Sequence, residues 1–330
     1  MTEQLSARYN LLCQHVRQIG LLGSVEELLG WDERTLMPAA GAEHRAEQMT
    51  LLSGMIHDRW LDPQLADSLN ELTESPLAAD PVSDTGATIR DIARQHRRKT
   101  SLPKTLVEEL TRTAVLGQNA WQEARAKDDF PAFRPWLEKL VGLKQQEADA
   151  VGYEACRYDA LLDEYEPGQR TDETSRILAG LRDELVPLIR AIRDSSREPD
   201  ASVLTREFPV DDQETFGREA ASRIGFDFAR GRLDVTTHPF CCSPGPSDVR
   251  ITTRYNPRFF NESFFGILHE AGHGIYEQGL RADQYGLPLG EAASLGLHES
   301  QSRMWENLVG RSRAFWECVY PEAQRQFSGA

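Results

Sequence analysis

The segment His269-Glu270-Ala271-Gly272-His273 is where this chain's residue types and spacing could do chemistry. On a helix of about 3.6 residues per turn, positions four apart stand only about 40° from one another, so both imidazoles can reach one metal ion. Glu270, about 100° round from His269, flanks that face and can take a proton from a metal-activated water without being a ligand itself. The chemistry implied is metal-assisted hydrolysis. The bland alternative is two histidines on a helix face with a solvated Glu between them.

The elements around the motif must hold it in place. From Asn261 to Gly279, the residues Phe264, Phe265, Leu268, Gly272, Ile275 and Tyr276 recur at helical intervals, which predicts a buried helix. Gly272 and Gly274 each cost such a helix about 1 kcal/mol relative to Ala, a cost that close approach of another segment or of substrate would explain. A catalytic zinc needs a third protein ligand and one open position. Three carboxylates downstream are candidates: Glu291, Glu299 and Glu306. The pattern from Leu289 to Gly310 predicts a second helix with Glu299 on or beside its inward stripe, Glu306 two turns further along a similar face, and Glu291 near the start, where the helix dipole alone favours a Glu. Glu299 is the best placed. Glu277, four residues beyond His273, is either an acceptor for an active-site side chain or part of a solvated face. His298, one residue and about 100° from Glu299, cannot easily point at the same ion and is left a supporting role.

Before that helix, Leu233–Thr237 and Val249–Thr253 cluster β-branched residues around Cys241-Cys242-Ser243-Pro244-Gly245-Pro246, which predicts a hairpin with the latter stretch as its turn. An edge strand there would border the cleft and could pair with an extended peptide. Arg250, whose fork suits a carboxylate, and His238 are the polar residues expected near substrate. Arg250 equally suits an ion pair with Asp248.

Most of the remaining chain has helical periodicity. Leu5, Tyr9, Leu12, Val16 and Ile19 predict an amphipathic helix over residues 1–20 in place of a signal peptide. Trp31–Trp60 contains a break at Pro38, and Thr73–Gly86 is a polar, Pro- and Gly-bearing loop. Helices are predicted over Thr88–Lys99, Pro103–Ala126, Phe133–Gly152, Asp172–Ser195 and Asp211–Gly225. The basic run Arg97-Arg98-Lys99 is expected to be a solvated helix end favoured by the dipole. The expected fold is mainly α, with a small β hairpin or sheet beside the metal-site helix. It forms one domain, 1–330, divided loosely into a helical lobe, 1–205, and a metal-site region, 206–330.

The chain has 330 residues, of which 40% are hydrophobic, enough to bury a sizeable core. Its net charge of −15 excludes nucleic acid and anionic membrane as main partners, since both repel an acidic surface. Cys13, Cys156, Cys241, Cys242 and Cys318 are too few and too irregular for a disulfide framework, which points to reduced thiols and a cytoplasmic location. No apolar run approaches the ~20 residues that span a bilayer.

With these motifs in order, the chain resembles the thermostable carboxypeptidase (Taq) family of metallopeptidases. The likeness rests on His269–His273, His298-Glu299-Ser300-Gln301, His238-Pro239-Phe240, Asp248-Val249-Arg250-Ile251-Thr252 and Tyr158–Gly168. Trp31-Asp32 and Met37-Pro38 followed by Gly41 fit as well. The resemblance implies a helical, zincin-like peptidase with zinc on His269, His273 and Glu299 and with Glu270 as general base and acid. It also implies peptide substrates, release of single C-terminal residues, and a homodimer. Two late family motifs that help to grip the substrate carboxylate have no counterpart here, so the chain is expected to be C-terminally truncated. The alternatives are a zinc-binding protein with little or no peptidase activity, or an oligopeptide endopeptidase.

Overall fold

The helix begun by Leu12, Val16 and Ile19 does not stop near Gly20 but runs unbroken from Thr2 to Thr35 (α1), so Trp31-Asp32 belongs to its last turn. The computed structural model describes residues 2–328. After α1 come α2 (Ala42–Trp60), α3 (Pro63–Thr73), α4 (Asp84–Thr100), α5 (Lys104–Lys127), α6 (Phe130–Val151), α7 (Arg157–Tyr165) and α8 (Thr171–Arg193). Next are α9 (Val210–Ile224), β1 (Gly231–Val235), β2 (Cys241–Gly245), β3 (Asp248–Thr253), α10 (Phe260–Gly279), α11 (Leu295–Arg303) and α12 (Arg313–Gln326). Helices α3 and α7 fall in stretches with no predicted element. Helix α3 is started by Asp62, whose carboxylate accepts from the Gln64 N–H, with Pro63 at the first helical position.

The first core cluster packs Leu12, Val16 and Ile19 of α1 against Trp60, against Leu65 and Leu69 of α3, and against Ile89 and Ile92 of α4. A second gathers Phe216 of α9, Phe260, Phe264 and Leu268 of α10, and Val319 of α12. A third joins Ile267 and Ala271 of α10 to Val249 and Ile251 of β3. Burying each such side chain contributes about 1.5–3 kcal/mol, so α10 is fixed on two sides before its polar residues are considered. Helix α8 differs. None of its residues is buried, and Leu178, Leu181, Leu185 and Leu188 are between 43% and 57% exposed.

The expected hairpin is not formed. Strands β1 and β3 are parallel neighbours, Leu233 beside Ile251, and the predicted turn residues Cys241–Gly245 are themselves a strand, antiparallel to β3 on its other side. Pro244 suggested a turn, but a proline is tolerated at a sheet edge, and here it lies at an irregularity in the register between Cys242 and Gly245. A second correction concerns Arg98, expected in solvent. It is only 9% exposed, donates to the Glu147 carboxylate at 3.0 Å and to the Ala160 carbonyl at 2.6 Å, and so ties α4 to α6 and α7.

The helix predicted over Leu289–Gly310 begins only at Leu295. Ser294 sets that start by accepting from the Leu297 N–H at 3.1 Å, which leaves Glu291 outside the helix. Beyond Arg303 the coil widens into a π-helical stretch, Met304–Val309. Among the described residues no helix is long and apolar enough to cross a membrane. The five cysteines are free thiols.

Candidate metal centre

Helix α10 presents His269, Glu270, His273 and Glu277, and α11 lies across it carrying His298 and Glu299. The crossing is close because position 272 is glycine: a Cβ there would sit 2.6 Å from Ser302 Cα. At Gly274 a Cβ would meet the Phe226 ring at 2.5 Å. Both glycines are therefore explained by close approach, α11 at one and the layer under α10 at the other.

The approach brings one oxygen, Glu299 Oε2, to 3.5 Å from His269 Nε2 and 3.3 Å from His273 Nε2. Ligand atoms of these three residues all lie within 4.8 Å of one another. Bonds of ~2.0–2.1 Å in a tetrahedral site give edges of roughly 3.3–3.4 Å, so this donor set fits a small divalent cation. The surroundings orient the donors. Glu306 Oε2 lies 2.9 Å from His269 Nδ1, which leaves Nε2 to face Glu299. The π-helical stretch carries Glu306, whose carboxylate also accepts from Arg311 at 2.8 Å and Arg303 at 3.2 Å. Glu299 accepts from Ser302 at 3.1 Å and Arg303 at 2.8 Å. His273 has no such partner: its Nδ1 is buried without a hydrogen bond, and its ring instead stacks on His298 with centroids 4.5 Å apart. His298 in turn shares a hydrogen bond of 2.8 Å with Glu277, so Glu277 serves an imidazole beside the ligands.

Burial shapes the titration of these groups. It pushes the Glu270 carboxyl up to about 8, with the Glu299 and Glu306 charges adding to the rise. It depresses His273 to about 4, helped by His298 and His269, so that ring is neutral and free to donate a lone pair at ordinary pH. Burial would raise Glu299, but His269, Ser302 and Arg303 outweigh it and hold the carboxylate below its usual range.

Two of three neighbouring clefts reach Glu277 and His298 beside the ligands, and none of the three is lined by His269, Glu270, His273 or Glu299. One of about 530 Å³ is lined by Glu27, Cys241, Cys242, Glu277 and His298. The next, of about 970 Å³, shares Cys241 and Cys242 and adds Trp31, Trp121, Trp136 and His238. A third, of about 950 Å³, shares Glu277 and His298 and is lined by α4 cations, among them Arg97 and Lys99. The edge strand β2 thus forms a wall of two of these clefts. His238 is exposed, its Nδ1 2.8 Å from the Pro239 carbonyl and its ring 6.3 Å from that of Trp121. Arg250 is committed elsewhere: both arms of its fork donate to Asp248, at 2.8 and 2.7 Å, and the guanidinium lies 4.2 Å from the centre of the Trp31 ring.

A helix bearing HExxH beneath a second helix that supplies a carboxylate is the arrangement of a metal-dependent hydrolase. The profile of the carboxypeptidase Taq (M32) metallopeptidase family matches residues 11–330, and the chain belongs to that family. It is 42% identical over 332 aligned residues to thermostable carboxypeptidase 1 of Thermus thermophilus, covering 98% of this chain and 65% of that one. Carboxypeptidase 1 of Bacillus subtilis is 34% identical, covering 94% and 61%. The crystal structure of the M32 carboxypeptidase from Deinococcus radiodurans superposes with a TM-score of 0.86 at 36% identity, covering 98% of this chain and 64% of that one. The chain thus spans less than two thirds of the length of these relatives. Membership of this metallopeptidase family implies a divalent metal, which the His269, His273 and Glu299 group fits.

Proposed function

We propose that this chain is a zinc-dependent metallocarboxypeptidase that releases C-terminal amino acids from peptides, with His269, His273 and Glu299 as metal ligands and Glu270 as general base and acid. The observation that carries the reading is the convergence of two imidazole nitrogens and one carboxylate oxygen at 3.3 and 3.5 Å beside a buried Glu. A nitrogen-rich set at tetrahedral spacing supports zinc over the harder cations, which prefer more oxygens. When bound, the ion supplies positive charge that polarises a water and the peptide carbonyl. Glu270, buried beside the donor set, accepts a proton from the attacking water and returns it to the leaving amine. Glu306 and the His298–Glu277 pair keep the two imidazoles oriented throughout.

The peptide is assigned to the clefts beside β2, with His238 on the wall of the larger one. Arg250 would reach a substrate carboxylate only by exchanging Asp248 for it. Homodimer formation belongs to the same reading and is supported by the exposed aliphatic face of α8. A cytosolic location is supported by the five free thiols. The test is Glu270→Gln, which should retain zinc while turnover of a free-ended peptide falls by at least ~10². Zinc loss in step with activity would overturn the assignment of Glu270. Amidation of the peptide's C-terminus should abolish cleavage, and continued cleavage would favour an endopeptidase.

A further inference from the structure

The motif Tyr158–Gly168 lies outside the metal cluster in sequence, yet its last turn touches the helix that bears Glu299. Glu166, just beyond α7, accepts a hydrogen bond from the Gly296 N–H, in the first turn of α11, at 2.5 Å. A side chain at 296 would push this carboxylate aside, since a Cβ there would stand 2.4 Å from Glu166 Oε1. Packing does little for that turn: Leu295 is 52% exposed and Leu297 is 45% exposed. What fixes it is polar, namely the Ser294 cap and the Glu166 carboxylate, which also meets the positive end of the helix.

Glu166 is itself rigidly mounted. The turn after it closes with the Gly168 N–H donating to Asp163 at 2.8 Å, and Gly168 has the left-handed backbone (φ 81°) that favours glycine. Arg94 pairs with Asp163 at 3.5 Å, and Arg98 donates to Glu164 at 3.2 Å. Helix α11 is therefore pinned at Gly296 by Glu166 and at Ser302 by the contact over Gly272, with Glu299 midway between the two pins.

We infer that Glu166 is a positioning residue for the metal centre: by capping α11 it sets the axial height and rotation of that helix, and so the place of Glu299 Oε2. This rests on the reading of His269, His273 and Glu299 as ligands. The proposal is tested on the whole chain, stripped of metal, by chelator competition for zinc and by the visible spectrum of the cobalt-substituted protein. Glu166→Ala should weaken zinc binding about tenfold and alter the cobalt spectrum, whereas Glu166→Gln, whose amide oxygen still accepts from Gly296, should stay within about threefold of wild type. Gly296→Ala should reproduce the loss in the wild type but add nothing in the Glu166→Ala background, because the clash is with Glu166 alone. Wild-type affinity in Glu166→Ala alongside lost affinity in Glu299→Ala would overturn the positioning role and spare the ligand assignment. Wild-type affinity in Glu299→Ala would overturn the ligand assignment and this inference with it. Equal losses in Glu166→Ala and Glu166→Gln would also overturn it, since contact geometry could not then be the cause.

Discussion

Glu306 shows how much of a metal centre can reside in one residue that binds nothing itself. Its bond to His269 Nδ1 selects the tautomer with a free Nε2, and Arg303 and Arg311 keep it ionised for the task against the pull of burial. Replacing Glu306 by Ala should lower zinc affinity by about 10–100-fold while the fold persists, measured by chelator competition beside the far-UV spectrum. Among single residues, Glu33 carries a pH dependence of its own. Burial pushes its carboxyl up to about 7, against the nearby charges of Arg34 and Arg45. The folded state therefore binds this proton more tightly than the unfolded chain, so the contribution to stability is fully present below about pH 4.5 and is lost as pH rises through about 7. Glu33→Gln should raise the melting temperature at pH 8, by up to about 2–3 kcal/mol of stability, and make little difference at pH 4. An equal effect at both pH values would show that Glu33 is not titrating in this window. The sequence alone marked His269, His273, Glu270 and Glu299, because helical spacing is a local property. It left the role of Glu306 open, since a carboxylate two turns from Glu299 could be ligand, partner or surface until the second helix was in place.

At the scale of elements, small residues decide how closely the helices meet. Gly272→Ala would drive a Cβ against the Ser302 backbone, which cannot yield as a flexible side chain could. It should therefore destabilise the fold by about 1–3 kcal/mol and weaken zinc binding together, whereas a surface helix glycine changed to Ala would stabilise. Calorimetry of apo and zinc-loaded protein separates the two effects. Arg98 is the opposite kind of joint, a buried cation among Glu147 and Glu164. Arg98→Met should lower stability by about 1–3 kcal/mol because the Ala160 carbonyl loses its donor and Glu147 is left with Lys144 as its cationic partner. Elements were also where sequence reading erred most. Pro244 and Gly245 resemble a turn in composition, and nothing local distinguishes an edge strand that tolerates them from a loop. The parallel pairing of β1 with β3 depends on where the intervening segment travels, which strand composition does not encode. The long α10 was clear from its apolar period because its stripe faces two cores at once.

Across the whole molecule, stability is unevenly distributed. Helix α10 is packed on both sides, whereas α8 buries none of its residues, so backbone amides of α8 should exchange with solvent orders of magnitude faster than those of α10. Hydrogen exchange read by mass spectrometry checks this, and comparable protection of the two helices would mean that α8 is covered in solution.

The reach of α1 has a consequence in time as well as in space. Its apolar face finds partners early, in α3 and α4, but two of its polar bonds are distant: Arg17 donates to the Asp283 carbonyl across 266 residues, and the Arg34 carbonyl accepts from Thr236 across 202. At ~5–20 residues per second, a ribosome needs about 10–40 s to make two hundred residues, so α1 must wait that long for the sheet that completes it. Trp31, which ends up beneath Arg232 and Arg250, lacks the cover of those two side chains for that interval. Nascent chains stalled before β1 should thus be cut by protease near Trp31 and protected near Leu12, and release of a chain long enough to include β3 should close the second site to the enzyme.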